Sequence, residues 1–373
     1  MTTIESRARG TLLGLAWGDV LGVPIEGWSP ALIAEVFGAY RELPEAYRFE
    51  RIPAAALAHL RPLGLHSDDT QQALLLVQVV LSPGGWHVDR WAASLVAGQA
   101  HGAFRGTGRF FRAAVARLVA GQAPQRAGSP SAGIGAAMRI GPLGALYRGE
   151  PARLRDVVFE SSASTHADLR AVAIAHAVAF ACSLLIEGTP AAAVLARLAA
   201  EVEAAERDWL AHRGDWQVDA SHPHGVSAAL AWLAAADLGD LDRLRRALVD
   251  RARPAVARFA GEEPAPNHPF AELGGLHALA VGLAPVGEPG ELLAGVMRLG
   301  GDTDTVGAIA GTLLGARFGS AWIPRARMID AGRLDRYADA LVSASLPESL
   351  TDCLRCEAEH TAAEAAFLRG GRR

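Results

Sequence analysis

The sequence predicts an all-α protein in which many helices pack around one core. Apolar or alanine-rich runs with helical spacing recur along the 373 residues, and short breaks rich in glycine and proline separate them. No convincing set of strands with alternating apolar and polar residues accompanies these runs. The chain is 50% hydrophobic but only 6% aromatic and contains 40 glycines, so small and aliphatic side chains must build the core. We expect on the order of a dozen helices.

Eight segments give the clearest helical predictions, because their apolar residues recur at spacings that share one helix face. They are 10–23, 70–81, 90–101, 169–186, 191–210, 226–236, 241–259 and 304–318. Residues 212–225 and 261–269 are rich in Gly, Pro, His and Asp, and we expect surface loops there. No linker divides the chain, so residues 1–373 are expected to form a single domain whose tail frays from about residue 359.

The charge pattern argues against several classes of protein. The formal net charge is −4, and the 36 cationic residues are all arginines that form no basic domain or tail, so nucleic acid is not expected as the main partner. The longest apolar stretch, 171–186, contains His176 and is shorter than the roughly 20 residues that span a bilayer. The charged N-terminal residues do not resemble a signal peptide. We therefore expect a cytoplasmic protein without membrane contact.

The three cysteines fit that expectation. Cys182 lies in an apolar helical segment, and Cys353 and Cys356 form a lone C-x-x-C near the end. A zinc site would need a second ligand pair, and a redox motif would need a strand followed by a helix. We expect three reduced thiols.

Two series of glycines recur at every fourth position. One series lies at 10, 14, 18 and 22, and the other at 307, 311, 315 and 319. Positions four apart share one helix face, so each series forms a stripe without side chains. Each helical glycine costs about 1 kcal/mol relative to alanine, which close packing must offset. The two stripes predict helices that approach each other, or a ligand, unusually closely.

Two acidic clusters each precede a predicted helix. Residues 66–70 are His-Ser-Asp-Asp-Thr, and residues 300–305 are Gly-Gly-Asp-Thr-Asp-Thr. Helix capping explains part of each cluster, because these side chains accept hydrogen bonds from free N–H groups at helix starts. Each cluster nevertheless has more acceptors than a cap uses, and oxygen ligands suit Mg²⁺ or Mn²⁺. Because converging carboxylates repel each other without a cation, the clusters predict a two-metal centre.

Three segments resemble motifs of the ADP-ribosylglycohydrolase family. They are GTLLGLAWGDVLGVPIEG at 10–27, HSDDT at 66–70 and GGDTDTVGAIAGTLLGARFG at 300–319. The resemblance implies a compact, orthogonal multi-helix domain with a binuclear Mg²⁺ or Mn²⁺ site in a central cleft. It covers a motif core at about 10–325 and leaves 326–373 as a C-terminal helical extension and tail.

The resemblance also implies roles for individual residues. By motif position, the metal ligands are Ser67, Asp68, Asp69, Asp302, Asp304 and Thr305. Glu26 matches a mobile glutamate that is linked to substrate access and activation of water, and we assign catalytic roles to Glu26, Asp69 and Asp304. Glu26 could instead be an exposed loop carboxylate. Asp19 matches the family's Gly-Asp pair but could equally be a buried packing residue, and we do not assign it as a ligand.

Two further segments resemble the part of the family that holds ADP-ribose. Residues 131–139, SAGIGAAMR, resemble the pattern S-x-G-N-G-x-x-M-R, which implies that Ser131, Gly133 and Gly135 contact the diphosphate. Ile134 replaces the usual asparagine, which puts ribose or leaving-group recognition in doubt. Thr165-His166 resembles a Thr-His pair, which implies that His166 binds the distal part of the nucleotide.

The resemblance implies an enzyme that cleaves the glycosidic bond between ADP-ribose and an acceptor, such as a protein arginine or a small adduct, and that uses two Mg²⁺ or Mn²⁺ ions. One alternative is an ADP-ribose-binding protein that has lost catalysis, for which Ile134 is the visible reason. Another is a Mg²⁺-dependent prenyl-diphosphate enzyme. Gln72 stands where the third carboxylate of its D-D-x-x-D motif would lie, and the aromatic content is low for a cavity that stabilises carbocations.

Overall fold

Helices account for most of the chain. The structure is a computed structural model that describes residues 2–57, 60–258 and 263–370. In these residues β-structure is limited to three isolated bridges, which confirms the all-α prediction of one compact domain. The α-helices of the described residues, α1 to α18 in chain order, are Ile4–Gly22, Pro30–Phe37, Ala54–Leu57, Asp68–Leu81, Val88–Ala100, Arg109–Val119, Pro124–Ala127, Gly141–Leu146, Pro151–Ala163, Leu169–Ile186, Ala191–His212, Gly225–Ala234, Leu241–Val256, Leu276–Gly282, Pro289–Met297, Thr303–Phe318, Ala331–Ser343 and Cys353–Gly370.

All eight predicted helical segments are helical, with shifts at their ends. They correspond to α1, α4, α5, α10, α11, α12, α13 and α16. Phe259, the predicted end of the 241–259 segment, lies outside the described residues. The longer helices that were not predicted include α6 and α17, whose apolar residues are interrupted by arginine or aspartate. Helix α6 nevertheless buries Phe111, Ala114, Val115 and Leu118, which are spaced as one helix face requires.

Helix α10 forms the centre of the core. Its 18 residues are long and apolar enough to cross a membrane by length and composition alone. All of them except Arg170 are buried against neighbouring helices, however. A helix that is apolar on all sides is expected in the interior of a large domain. Within this fold, α10 is a core helix.

The two glycine stripes pack directly against each other. Helices α1 and α16 run in opposite directions, so Gly10 faces Gly315 and Gly14 faces Gly311. A methyl group added to Gly14 would lie 2.2 Å from the carbonyl oxygen of Gly311. The hydroxyl of Thr312 donates to the carbonyl of Thr11 across the same contact, at 2.8 Å. The predicted close approach of two helices is confirmed.

The C-terminal segment is more ordered than predicted. Helix α18 continues to Gly370, although we expected the chain to fray from residue 359. Its buried glutamates, Glu357 and Glu364, pack against the rest of the protein. The prediction was wrong because a polar, alanine-rich composition does not reveal contacts with distant parts of the chain.

Part of the predicted 261–269 surface loop is also buried. Residues 261 and 262 lie outside the described part of the chain. Asn267 is only 1% exposed, and its side-chain amide donates to the carbonyls of Val296 and Gly300. A loop that makes these bonds can lie in the interior, because its polar groups are satisfied. The three cysteines are unpaired, as predicted.

The glycine contact predicts the effect of adding one methyl group. Gly311→Ala would place a Cβ atom 2.1 Å from the carbonyl oxygen of Gly14. We expect a net destabilisation of roughly 1–3 kcal/mol despite the better helix propensity of alanine. Urea unfolding measures the change. Gly290→Ala in α15 is the matched control, since its Cβ would meet no atom within 4 Å. Equal stability of the two variants would contradict the packing account.

Candidate active-site cleft

Asp19 links α1 to the start of α4, where the first acidic cluster lies. Its carboxylate is fully buried and accepts hydrogen bonds from the backbone N–H groups of Ser67 (2.9 Å) and Thr70 (3.0 Å). The Thr70 hydroxyl donates to the same carboxylate at 2.5 Å. Asp19 thus uses its oxygens to fix the helix start, which agrees with the buried packing residue considered from the sequence. Ser67 forms the N-cap of α4.

A pair of backbone hydrogen bonds holds the Glu26 loop against the second acidic cluster. The N–H of Gly27 donates to the carbonyl of Gly301 at 2.8 Å, and the N–H of Gly301 donates to the carbonyl of Trp28 at 3.0 Å. Gly300 has φ +63°, and a side chain there would collide with the carbonyl of Trp28. Only glycine permits this conformation and this close approach together. The double glycine therefore brings Glu26 beside the start of α16.

The start of α16 is held from two further directions. The N–H of Asp302 donates to the carbonyl of Asn267 at 3.1 Å. The hydroxyl of Thr303 donates to the carbonyl of Gly22, at the end of α1, at 2.9 Å. These bonds fix the backbone on both sides of Asp302 and leave its carboxylate free to face the cleft. The side chain of Thr305 lies within hydrogen-bond reach of Asp302.

The structure brings the carboxylates of the two clusters together. Asp304 lies within hydrogen-bond reach of Glu26, and its charge raises the pKa of Glu26 above the usual range, with burial as the second cause. Burial, reinforced by Asp304, raises the pKa of Asp68 to about 7. Burial is also the main reason why the pKa values of Asp69 and Asp302 are well above normal. Without a compensating cation, these groups therefore resist ionisation.

The donor set fits divalent cations. Asp69 receives a hydrogen bond from Ser67 on Oδ2, at 2.8 Å, while its buried Oδ1 has no hydrogen-bond partner within the described chain. Buried acceptors are rarely left unpaired unless an ion or water completes them. In residues 2–57, 60–258 and 263–370, no three Asp, Glu, His or Cys side chains already converge as a complete ligand set. The hydroxyls of Ser67 and Thr305, and water, would have to supply the remaining oxygens.

A cleft of about 1070 Å³ contains most of the predicted site residues. The acidic centre contributes Glu26, Asp68, Asp302, Asp304 and Thr305 to its lining. The segments predicted to bind substrate contribute Ser131, Gly133, Gly135 and His166. Ser67 and Asp69 are buried neighbours of Asp68 in the chain and do not line the cleft. The volume is ample for a ligand the size of a dinucleotide. The acidic centre and the glycine-rich segment thus face one shared space.

Short extended contacts hold the glycine-rich segment at the cleft. Its Ile134 N–H donates to the carbonyl of Pro269 at 3.0 Å, and the N–H of Ala271 donates to the carbonyl of Ala132 at 2.8 Å. The N–H groups of Gly135 and Ala136 find no acceptor within the described chain. Free N–H groups of this kind can bind phosphate oxygens.

Ile134 is almost completely buried, and its Cγ2 lies near Gly275. It replaces the usual asparagine with a packing residue that cannot donate or accept a side-chain hydrogen bond. Any contact that the asparagine would make in the cleft is therefore lost or taken over by another group.

His166 lies directly against Gly135. A side chain on Gly135 would come within 2.6 Å of the imidazole Nε2, so glycine is needed there. Burial, with Arg139 as the second cause, lowers the pKa of His166 to about 3, so the ring is neutral near pH 7. A neutral imidazole can offer one N–H donor to a ligand. Its Nδ1 shares a hydrogen bond with the hydroxyl of Thr165 at 2.9 Å.

A buried polar chain connects the acidic centre to the glycine-rich segment. The side-chain amide of Gln72 donates to Asp68 at 2.7 Å, and Arg139 donates to the amide oxygen of Gln72 at 2.5 Å. Arg139 also donates to the hydroxyl of Thr165 at 2.7 Å. Sequence reasoning assigned no role to Gln72 or Arg139. The helical i, i+4 spacing of Asp68 and Gln72 was the available signal, but the contact with Arg139 depends on the fold.

Arg61 is the main cleft residue that the sequence did not indicate. It forms ion pairs with Glu26 at 3.3 Å and with Glu364 of α18 at 3.5 Å. It lies in an irregular segment without a motif, so no local pattern marked it. Its cationic side chain faces an otherwise acidic part of the cleft.

Comparison with known proteins agrees with this architecture. A solved structure described as an ADP-ribosylglycohydrolase-related protein complex superposes with a TM-score of 0.64 over 93% of this chain and 100% of that chain. The two sequences are 24% identical, so this likeness concerns the fold.

Two curated relatives match part of the sequence. An uncharacterized protein of Archaeoglobus fulgidus is 32% identical over 185 residues, which cover 49% of this chain and 57% of that protein. The ADP-ribosyl-[dinitrogen reductase] glycohydrolase of Rhodospirillum rubrum is 29% identical over 171 residues, or 44% of this chain and 52% of that protein. The chain therefore spans about half the length of these curated relatives.

The family comparison covers far more of the chain. The sequence profile of the family described as ADP-ribosylglycohydrolase matches residues 1–350, which include both acidic clusters, both glycine stripes and the glycine-rich segment. Since this match extends over most of the sequence and the fold agrees with it, the chain belongs to the ADP-ribosylglycohydrolase family.

Proposed function

We propose that this protein is a divalent-cation-dependent hydrolase that releases ADP-ribose from an acceptor to which it is joined by a glycosidic bond. Family membership supports the reaction type. The observation that carries the proposal is the shared cleft, in which the acidic centre faces the glycine-rich segment and His166. The substrate would be an ADP-ribosylated protein side chain, such as arginine, or a small ADP-ribosyl adduct in the cytoplasm.

The acidic centre would hold two Mg²⁺ or Mn²⁺ ions. The proposed ligands are the residues with oxygen donors at the two helix starts: Ser67, Asp68, Asp69, Asp302, Asp304 and Thr305. Bound cations would neutralise the carboxylates, orient the hydroxyls of the ribose and acidify water. The raised pKa values of Asp68, Asp69 and Asp302 support a centre that needs such neutralisation.

The other wall of the cleft would hold the nucleotide. Ser131, Gly133 and Gly135 would bind the diphosphate, with the free N–H groups near Gly135 as donors. His166 would donate one hydrogen bond to the distal part of the nucleotide, because its ring is neutral near pH 7. The chain of Gln72 and Arg139 would keep this wall at a fixed distance from Asp68.

Glu26 is the proposed proton-transfer group. Water would attack the anomeric carbon of the ribose while the bond from that carbon to the acceptor breaks through an oxocarbenium-like state. The attacking water would give a proton to the Glu26 carboxylate, and Glu26 would return that proton to the departing acceptor atom, so that one water is consumed for each ADP-ribose released. Asp69 and Asp304 are also assigned catalytic roles from the sequence. Their negative charges would stabilise the positive charge that develops at this carbon.

Two other functions make different predictions. The first is an ADP-ribose-binding protein without catalysis, which Ile134 supports because it replaces the usual asparagine. Calorimetry would then show binding of ADP-ribose, and no substrate would be hydrolysed. A prenyl-diphosphate enzyme would release pyrophosphate from isoprenyl diphosphates. The second is disfavoured, since Gln72 in place of its third carboxylate donates to Asp68 and family membership indicates a different reaction.

The proposed function is tested with a panel of ADP-ribosylated arginine, serine, acetyl-ribose and nucleic-acid compounds. Each compound is incubated with and without Mg²⁺ or Mn²⁺, and released ADP-ribose is measured. Cation-dependent release from at least one compound is expected, and the compound that reacts identifies the acceptor. Pyrophosphate release or simple binding would instead support one of the alternatives.

Asp304 provides the first site prediction. Asp304→Asn removes a carboxylate whose charge acts on both Glu26 and Asp68, and we expect at least a roughly 10²–10³-fold loss of ADP-ribose release. Asp302→Ala should have a comparable effect. Circular dichroism should show the wild-type fold in both. Asp242→Asn, an exposed position on α13, should keep full activity. Wild-type turnover in Asp304→Asn would refute the metal assignment.

Glu26 provides the second site prediction. Glu26→Gln keeps the shape of the side chain but removes its basic oxygen, so kcat should fall by about 10²–10⁴-fold while ADP-ribose still binds. Steady-state kinetics and calorimetry measure the two effects separately. Glu35→Gln, on the exposed face of α2, is the control. An unchanged kcat in Glu26→Gln would move the proton-transfer role to another group.

Cation binding should depend on pH. Because burial and mutual repulsion raise the pKa of Asp68 to about 7, and raise those of Asp69 and Asp302 well above normal, a cation must displace protons at neutral pH. Mn²⁺ affinity should therefore increase as pH rises from about 6 to 8, and calorimetry in buffers of different ionisation enthalpy should detect proton release. Affinity that does not change over this range would argue against binding by these carboxylates.

A further inference from the structure

Helix α18 lies outside the family match but forms part of the cleft. The match ends at residue 350, and α18 begins at Cys353. Glu364 and Leu368 of this helix line the same cavity as Glu26 and Asp304. The helix is therefore a wall of the proposed active site, and family motifs do not account for it.

Arg61 connects this helix to Glu26. Its Nη2 lies 3.3 Å from Glu26, and its Nε lies 3.5 Å from Glu364. Gly106 leaves the space that the guanidinium occupies, since a Cβ there would come within 2.8 Å of Arg61 Nη1. The hydroxyl of Tyr47 donates to the Arg61 carbonyl at 2.7 Å, which fixes the backbone from which the side chain extends.

The two carboxylates differ in exposure and in the kind of segment that carries them. The Glu364 side chain is 10% exposed and lies on a packed helix, whereas the Glu26 side chain is 40% exposed and lies on a loop. Arg61, at 17% exposure, is the bridge between them. Both contacts are ion pairs without hydrogen-bond geometry, and Oε1 of Glu364 has no hydrogen-bond partner within the described chain. Coulombic attraction to the buried Glu364 draws the guanidinium toward α18, and the guanidinium in turn attracts the Glu26 carboxylate.

A second buried cluster keeps α18 in place. Glu357 is 1% exposed and accepts hydrogen bonds from Gln71 at 2.8 Å and from Arg105 at 2.9 Å, and it pairs with His66 at 3.1 Å. Arg333 also donates to it. His66 is the first residue of the first acidic cluster, so the same helix that carries Glu364 is joined to that cluster. The position of α18 relative to the cleft is thus fixed two turns before Glu364.

We propose that α18 positions the Glu26 carboxylate for its reaction, with Glu364 and Arg61 as the positioning residues. The expected effect on kcat rests on the proposed function, whereas the expected restraint of the Glu26 loop does not. Neither residue has to touch the reacting atoms. Each acts through the next: the helix holds Glu364, Glu364 holds Arg61, and Arg61 holds Glu26.

Glu364→Gln tests the proposal most directly, because it keeps the size of the side chain and removes only its charge. We expect kcat to fall by roughly 10-fold, with KM and Mn²⁺ affinity unchanged, as is typical when a supporting group is lost. Backbone amide exchange of residues 23–29, measured by mass spectrometry without substrate, should become faster. Glu359→Gln is the matched control, since it changes the same residue type on an exposed face of the same helix. Control values should equal wild type in every measurement.

A double-mutant cycle separates positioning from general destabilisation. Arg61→Ala should lower kcat at least as much as Glu364→Gln, and adding Glu364→Gln to Arg61→Ala should have little further effect. Arg61→Lys keeps the charge without the planar fork, so it should restore part of the loss. Thermal unfolding identifies any variant that fails to fold. If Arg61→Ala does not fold, the kcat of Arg61→Lys is measured in its place.

Two results would overturn the proposal. One is wild-type kcat together with wild-type amide exchange at residues 23–29 in Glu364→Gln. The other is fully additive effects of the two substitutions. If the wild-type protein hydrolysed no ADP-ribosyl compound, the proposed function would fail, but the amide exchange of Glu364→Gln would still decide whether α18 restrains the Glu26 loop.

Discussion

The close contact between α1 and α16 is the constraint on which the site depends. Glycines at 10, 14 and 18 face glycines at 315, 311 and 307, so the two backbones meet with no side chain between them. Helix α1 carries Asp19 and leads into the Glu26 loop, while α16 begins at the second acidic cluster. Each glycine costs about 1 kcal/mol of helix propensity, and the packing of the two helices must offset it. The glycines of these two stripes thus allow the close approach that brings the acidic groups together.

Buried hydrogen bonds then connect the acidic centre to the other parts of the cleft. Asp19 fixes the start of α4, and the buried chain of Gln72 and Arg139 joins Asp68 to the segment proposed to bind diphosphate. Arg139 uses both of its terminal nitrogens in this network, while its Nε has no hydrogen-bond partner within the described chain. Buried hydrogen bonds of this kind favour one fixed geometry. Rigidity suits a site that must hold a charged centre and a nucleotide at a fixed separation. Glu26 lies on a loop and, with a side chain that is 40% exposed, is more exposed than Asp19, Asp68 and Arg139.

The sequence predicted those features that repeat or cluster locally. Glycines at every fourth position indicated the close helix contact, and excess acidic groups before 70–81 and 304–318 indicated the centre. It did not reveal Arg61, Asn267 or Glu364, because each acts through partners far away in the chain and none lies in a motif. Helix α18 was misjudged as a fraying tail for the same reason. Its charges resemble a solvated surface until the structure shows Glu357 buried among arginines.

The central claim is that the α1–α16 contact forms one centre for two divalent cations. Electron paramagnetic resonance of the Mn²⁺-loaded protein, combined with a count of bound Mn²⁺, tests it most directly. The account predicts two Mn²⁺ per chain with the spectrum of a magnetically coupled pair, and loss of that signal in Asp304→Asn. A single bound ion, or two ions without coupling, would contradict it.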